Sequence, residues 1–218
     1  MARATPPHQP ACSIYLVTPP LSAAVAPAFA EVFVRVLAAA PARSVRVRLQ
    51  PNADAKAILA PLLKAAAAAD CALILDSDPR RAARLGADGV HVEGTGEALD
   101  EALHSLKPER IVGVGGLKLR DDAMTAGEKG ADYVMFGEPW GDRPAAALDP
   151  LLERVGWWAE IFETPCVAYA ESVEAARRLA EAGADFVAVD RAVWDAPSPT
   201  DAVRALHEAV AGAAQNQP

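Results

Sequence analysis

Three cysteines, at positions 12, 71 and 166, are all that this chain carries. Their odd number and wide spacing suit a reducing compartment better than a disulfide framework. Long apolar runs are absent as well, since none approaches the ~20 residues needed to cross a bilayer. The N-terminal stretch MARATPPHQPACS has no apolar segment of the secretory kind. Nor is there a surplus of positive charge. The 21 Lys+Arg residues are outnumbered by 29 Asp+Glu, giving a formal net charge of -8 and a pI near 5.0. A chain without a cationic field is not expected to bind nucleic acid or an anionic membrane surface. No G-x-G-x-x-G follows the first apolar run, where Thr18-Pro-Pro20 stands instead, which disfavours an open dinucleotide-binding sheet.

What is present is an ordinary globular composition. Of 218 residues, 52% are hydrophobic and 23% charged, enough to bury one core and too apolar for disorder. The expectation is a single, acidic, cytoplasmic domain. Short β-type runs at 13–17, 45–49, 72–76, 89–92, 110–114, 133–136, 166–169 and 186–189 are mostly continuous in apolar residues, as parallel strands covered on both faces are. Between them lie stretches rich in Ala, Leu, Glu, Arg and Lys, such as 53–69, 121–129 and 172–182, which suit helices. Asp121 and Ser172 are candidate helix caps.

A phrase recurs three times: Gly86-Ala-Asp-Gly-Val-His-Val92, Gly130-Ala-Asp-Tyr-Val-Met-Phe136 and Gly183-Ala-Asp-Phe-Val-Ala-Val189. In each, Gly ends a helix in a left-handed turn, Asp turns the chain and a strand begins. These positions therefore read as stability devices. Eight strand–helix units of about 27 residues each predict a compact (β/α)8 TIM barrel, a single domain over residues 13–212. Residues 1–12 read as a flexible arm and 213–218 as a flexible tail.

In such a barrel, chemistry sits at the C-terminal strand ends. Those ends carry Thr18; Arg48, Gln50 and Asn52; Asp76, Ser77 and Asp78; His91 and Glu93; Gly113, Gly115 and Gly116; Gly137, Glu138, Trp140 and Arg143; Tyr169, Glu171 and Ser172; Asp190 and Arg191. His91 is either a hydrogen-bonded wall residue or a catalytic one, with Glu93 its acid–base neighbour. Asp76, Asp78 and Glu93 are a candidate divalent-cation set or a solvated acidic rim. Gly113-Val-Gly-Gly116 could admit a phosphate to bare amides. Trp140 could stack on a heterocycle or latch a loop, and at least one of Trp157 and Trp158 belongs to a core.

These phrases, taken in order from about residue 13 to 210, resemble the thiamine phosphate synthase family, which includes a thiazole tautomerase branch. The matching residues are Ile14-Tyr-Leu-Val-Thr18, Gly86-Ala-Asp-Gly-Val-His-Val92, Ile111-Val-Gly-Val114, Gly130-Ala-Asp-Tyr-Val134 with Gly137, and Pro165-Cys-Val-Ala168. The resemblance implies a barrel that joins hydroxymethylpyrimidine diphosphate to a thiazole phosphate, with Mg2+ and basic groups holding the released pyrophosphate. It makes a small phosphate-bearing molecule the expected partner. Arg48, Gln50, Asn52, Gly113, Gly115, Gly137, Trp140, Arg143, Glu171 and Arg191 become candidate substrate contacts, His91 and Glu93 candidate catalytic residues, and Asp76 and Asp78 candidate Mg2+ ligands.

The chain departs from the family at several of these places. The family's Gln-x-Arg-x-Lys run reads Arg48-Leu-Gln50-Pro-Asn52, and its Asn-Asp-Arg reads Asp76-Ser77-Asp78. Gly-Gln-x-Asp after the histidine becomes Glu93-Gly94-Thr95-Gly96, and Ser after the fifth strand becomes Gly115. Thr-x-Thr-Lys has no counterpart in 137–143, and the phosphate-cupping Gly-Gly becomes Ala170-Glu171. Three readings follow: a synthase-like enzyme with an altered pocket, a divergent barrel that has lost synthesis and binds another small ligand, or a tautomerase-like isomerase using His91 or Glu93. Apolar loop residues Trp140 and Trp194 make a homodimer an expectation as well.

Overall fold

The structure, a computed structural model, describes residues 12–76, 78–139 and 144–213. The expected arm at 1–12 and tail at 213–218 thus lie outside the described residues apart from Cys12 and Ala213. Eight parallel strands close in sequence order into a barrel: β1 (Ser13–Val17), β2 (Ser44–Val47), β3 (Ala72–Asp76), β4 (Gly89–Glu93), β5 (Ile111–Gly115), β6 (Tyr133–Phe136), β7 (Cys166–Tyr169) and β8 (Phe186–Val189). The ring is completed by β1 pairing with β8 as well as with β2.

Helices follow each strand: α1 (Ala26–Ala39), α2 (Ala55–Ala68), α3 (Pro79–Leu85), α4 (Glu97–Leu106), α5 (Arg120–Glu128), α6 (Leu148–Ile161), α7 (Val173–Glu181), a single turn α8 (Arg191–Trp194), and α9 (Pro199–Ala213). Ser172 caps α7 by accepting the Ala175 N–H, as expected. At α5 the cap is Asp122, which accepts the N–H groups of Lys118 and Leu119, and not Asp121. The second strand is shorter than the run 45–49. Beyond Val47 the chain stays extended but Leu49 pairs with Leu21, so the loops after β1 and β2 are stitched together at the mouth.

The repeated phrase does a sharper job than turning the chain. Gly86, Gly130 and Gly183 have φ of 77°, 93° and 100°, the left-handed region that ends a helix. Each following aspartate then closes a two-way clamp on the preceding strand. Asp88 donates its N–H to Leu73 O and accepts Leu73 N–H at 2.7 Å. Asp132 does the same with Val112, and Asp185 with Cys166, both at 2.8 Å through the side chain. These clamps lie at the N-terminal end of the barrel, opposite the mouth.

Apolar side chains fill two layers. The larger lies between strands and helices; the smaller, inside the ring, holds Tyr15, Val17, Tyr133, Met135, Val167, Tyr169 and Ala188. Among the described residues no helix is long and apolar enough to cross a membrane. Burial pushes the thiols of Cys12, Cys71 and Cys166 up to about 12. Native protein at pH 8 is therefore expected to react with a disulfide reagent far more slowly than urea-unfolded protein, read as thiolate release over time.

Candidate functional site

Barrel strands alternate between an outer face on the helices and an inner face on the ring's interior. Tyr15 of β1, Arg46 of β2, Asp76 of β3, His91 of β4, Gly113 and Gly115 of β5, Tyr133 and Met135 of β6, and Tyr169 of β7 share that interior. The register places Asp76 opposite His91, and His91 opposite Gly113.

Two polar systems result. In the first, Arg46 grips Asp76 with Nε at 2.8 Å and Nη2 at 2.7 Å from one carboxylate oxygen. Its Nη1 reaches Met135 Sδ at 3.8 Å. Arg46 is 6% exposed, a depth at which a guanidinium needs its partner. In the second system Tyr15 and Tyr133 hydroxyls lie 2.7 Å apart, and Tyr133 Oη lies 2.9 Å from His91 Nδ1. Gly113 makes this possible: a Cβ there would fall inside the Tyr133 ring. With no side chain at 113, the ring can lean across the barrel to the histidine.

His91 is fully buried, and its Nε2 has no hydrogen-bond partner. Burial, aided by the Arg46 charge, holds its imidazole well below the usual value, so it is neutral at pH 7. Folding therefore favours the neutral ring, and this stability is lost as pH falls below the unfolded value of about 6.5. The urea midpoint is expected to drop between pH 7 and pH 5 with a smaller slope in His91→Gln than in the unsubstituted chain.

Above Gly115 the mouth begins. A Cβ at 115 would stand 2.6 Å from His91 Nε2 and would collide with Glu138 Oε1. Glu138, just after β6, accepts the Gly116 N–H at 2.7 Å. Burial raises its carboxyl above the ordinary range, partly offset by that hydrogen bond. Across the mouth, Arg48 donates from Nε to Thr18 O at 2.6 Å and from Nη2 to Asp190 at 3.3 Å. Asp190 also accepts the Tyr169 hydroxyl at 2.5 Å. A pocket of about 220 Å³ opens between the β5–α5 and β6–α6 loops, with Lys118, Glu138 and Arg154 among its walls.

Several expectations change here. Gly113 and Gly115 lie within β5, where the space a side chain would take is filled by Tyr133 and Glu138, and the Gly116 N–H is already accepted. Asp76 is committed to Arg46, and Asp78 caps α3 by accepting Arg81 N–H at 2.8 Å. Among the described residues no group of three or more His, Cys, Asp or Glu side chains is placed to hold a metal. In this structure Asp76 and Asp78 thus serve an ion pair and a helix cap.

Gln50, Asn52 and Glu171 are exposed on mouth loops, and Glu93 is exposed at the end of β4. Arg191 is exposed and pairs with Asp195 at 2.9 Å. Gly137 is a turn, with φ of 87°, packed against Leu151. Trp194 packs within the barrel: its ring lies 4.8 Å from Phe29, and its Nε1 donates to Val17 O at 2.7 Å. Ser77, Trp140 and Arg143 lie outside the described residues.

Reading the strand ends missed Tyr15, Arg46 and Tyr133, which lie inside strands. The available signal was a polar or phenolic residue in an otherwise apolar strand run, as in Ser44-Val-Arg-Val47.

Comparison with known proteins adds a consistent set of likenesses. The family model described as "Thiamine monophosphate synthase" matches residues 14–193. The thiamine-phosphate synthase of Rhodospirillum centenum is 41% identical over 211 residues, covering 92% of this chain and 99% of that protein. That of Erythrobacter litoralis is 38% identical over 172 residues, covering 77% and 80%. Among solved structures, a thiamine phosphate pyrophosphorylase from Pyrococcus furiosus superposes with a TM-score of 0.78 at 22% identity, covering 92% of this chain and 96% of that one. A 3-hexulose-6-phosphate synthase superposes with a TM-score of 0.69 at 20% identity, covering 90% and 99%. Likeness at that identity extends to the fold alone.

Proposed function

Because this chain belongs to the thiamine monophosphate synthase family, we propose that its barrel mouth binds hydroxymethylpyrimidine diphosphate and a thiazole phosphate and joins them into thiamine phosphate. In that reaction the carbon–oxygen bond to the diphosphate breaks and pyrophosphate departs with the electron pair. The thiazole nitrogen then supplies the pair for the new carbon–nitrogen bond, and no proton need move. The chain's task is to hold the departing charge in place.

The observation that carries this reading is Arg48. Its guanidinium is fixed at the mouth from two sides, by Thr18 O and Asp190, with its side chain still 27% exposed. A pre-oriented fork of N–H donors is the preferred partner of a phosphate. The family's Gln-x-Arg-x-Lys run can be set on Arg46-Val-Arg48-Leu-Gln50, which keeps the same alternate face and carries the run across the end of β2 at Val47. That is two residues before the placement on 48–52, and it returns the family's arginine to Arg48. Arg46 then replaces the glutamine, with Asp76 neutralising it, and Gln50 replaces the lysine.

Isothermal calorimetry should show heat for the pyrimidine diphosphate at millimolar concentration. Arg48→Met is expected to weaken that binding at least tenfold, since a charge-assisted hydrogen bond is worth about 1.5–3 kcal/mol. Growth of a thiamine auxotroph lacking its synthase should be restored by the unsubstituted chain. No heat with either substrate, with or without added Mg2+, would refute the reading.

A second reading, a barrel that binds a ligand of this pathway without joining anything, is favoured by one feature. The cations and the amide nearest the mouth are already matched internally, Arg46 by Asp76, Arg48 by Asp190 and Gly116 N–H by Glu138. Heat without complementation selects it.

A further inference from the structure

The unpartnered nitrogen of His91 has a definite chemical identity, which follows from counting hydrogens. The neutral imidazole carries one proton, and Tyr15 and Tyr133 carry one hydroxyl hydrogen each. If Nδ1 held the imidazole proton, it would donate to Tyr133, and Tyr133 would donate to Tyr15. The Tyr15 hydrogen would then have no acceptor among the described residues, and the Nε2 lone pair would be stranded too. The opposite order, Tyr15 to Tyr133 to Nδ1, uses both hydroxyl hydrogens across the 2.7 and 2.9 Å contacts. It leaves one orphan, an Nε2–H donor buried beside Gly115.

That donor does not face an empty wall. Glu138 Oε1 stands where a side chain at 115 would begin, and it already accepts the Gly116 N–H at 2.7 Å. Two N–H groups, from Gly116 and His91, thus flank a spot held by the chain's own carboxylate, which bonds to one of them. A buried donor left unmatched costs about 1–3 kcal/mol, so an acceptor that met both would be preferred over the present occupant.

We propose that the spot now taken by Glu138 Oε1 is a binding site for the carboxylate of a small molecule, with Gly116 N–H and His91 Nε2–H as donors and Glu138 as an internal stand-in that the guest displaces. The occupant's own chemistry argues for a monoanionic carboxylate. At this spot the charge of Glu93 disfavours an anion and that of Arg46 favours one, so the net field suits a single negative charge better than two. A phosphate dianion would bring a second charge to the same two N–H donors and meet more repulsion from Glu93. Burial disfavours the Glu138 carboxylate where it stands, so turning outward to solvent relieves that cost. The site goes beyond the proposed synthesis and stands whether or not two substrates are joined.

The test begins with Glu138→Ala, which removes the stand-in and leaves both donors. Formate or acetate at millimolar concentration should raise its melting temperature and move the His91 Nε2 signal in 15N-resolved NMR. Affinity should be at least tenfold tighter than for the unsubstituted chain. Inorganic phosphate at equal ionic strength should move neither. Glu138→Ala combined with Gly115→Ala should abolish the response, because the added Cβ occupies the seat. Glu138→Gln, whose carboxamide oxygen can still accept the Gly116 N–H, should respond no better than the unsubstituted chain. Should Glu138→Ala fail to fold, the His91 tautomer of the unsubstituted chain decides the matter. A proton on Nδ1 overturns the proposal, and so does equal binding of phosphate or no response to either carboxylate.

Discussion

Asp76→Ala is expected to destabilise the barrel by about 3–5 kcal/mol, because it strands a guanidinium in the interior. Arg46 has a side chain 7% exposed, and Asp76 supplies its charge partner. Without it, Arg46 keeps a sulfur contact to Met135 and the uncharged phenols of Tyr15 and Tyr133 nearby, with Glu138 left as a charge partner to which it makes no hydrogen bond. Arg46→Ala should cost less, since the Asp76 side chain it strands is 24% exposed and can turn to water. Replacing both at once, as Arg46→Met with Asp76→Leu, should recover most of the loss, because the desolvation cost of the two ions disappears with their attraction. Urea midpoints for the four proteins measure these differences. The double substitution should also raise the His91 pKa in NMR titration, since Arg46 is one of the two causes holding it down. Equal stability of Asp76→Ala and the unsubstituted chain would mean that water reaches Arg46.

Trp158→Ala should cost a similar amount, about 3–5 kcal/mol, through a different mechanism. Its indole is fully buried in α6, stacked on Phe162 with centroids 4.1 Å apart and meeting Phe136 edge-on at 5.7 Å. Its Nε1 donates to Thr164 O at 2.7 Å, so truncation opens a cavity and also strands a carbonyl. Trp157→Ala provides the control. That ring is only partly buried and lies under Arg120 at 4.5 Å, a contact worth about 0.5–1 kcal/mol where water has access. Phe136 is the last residue of β6, two before Glu138. Loosening the Trp158 packing should therefore also weaken protection of the Gly116 amide in hydrogen exchange.

The (β/α)8 ring was legible because it is written locally. Continuous apolar runs, Ala-rich connections and three copies of Gly-Ala-Asp each depend on neighbours a few residues away, and the glycines adopt the left-handed turns that the phrase implies. Even there, the reciprocal bond from each aspartate to the strand before it needed coordinates, since Asp185 and Cys166 are nineteen residues apart. The rim was less legible. Asp76 and Asp78 are two residues apart and read as a pair, yet one turns inward to Arg46 and the other caps a helix. The placement of the family run on 46–50 or 48–52 was not legible either. A shift of two residues keeps the same face, and only the end of β2 at Val47 distinguishes wall from rim.

From the chain alone came the order of strands and helices, the family, and the polar ring of residues at the strand ends, because each rests on short-range pattern. Three dimensions were needed to decide which charges cancel and which atom is left over. Arg46 meets Asp76 across 30 residues, Tyr15 meets Tyr133 across 118, and Glu138 reaches Gly116 across 22. Such pairings are set by barrel closure and by the room that Gly113 and Gly115 leave. Hydrogen-bond directionality then decides the rest, leaving the His91 Nε2 as the one buried side-chain atom among the described residues without a partner.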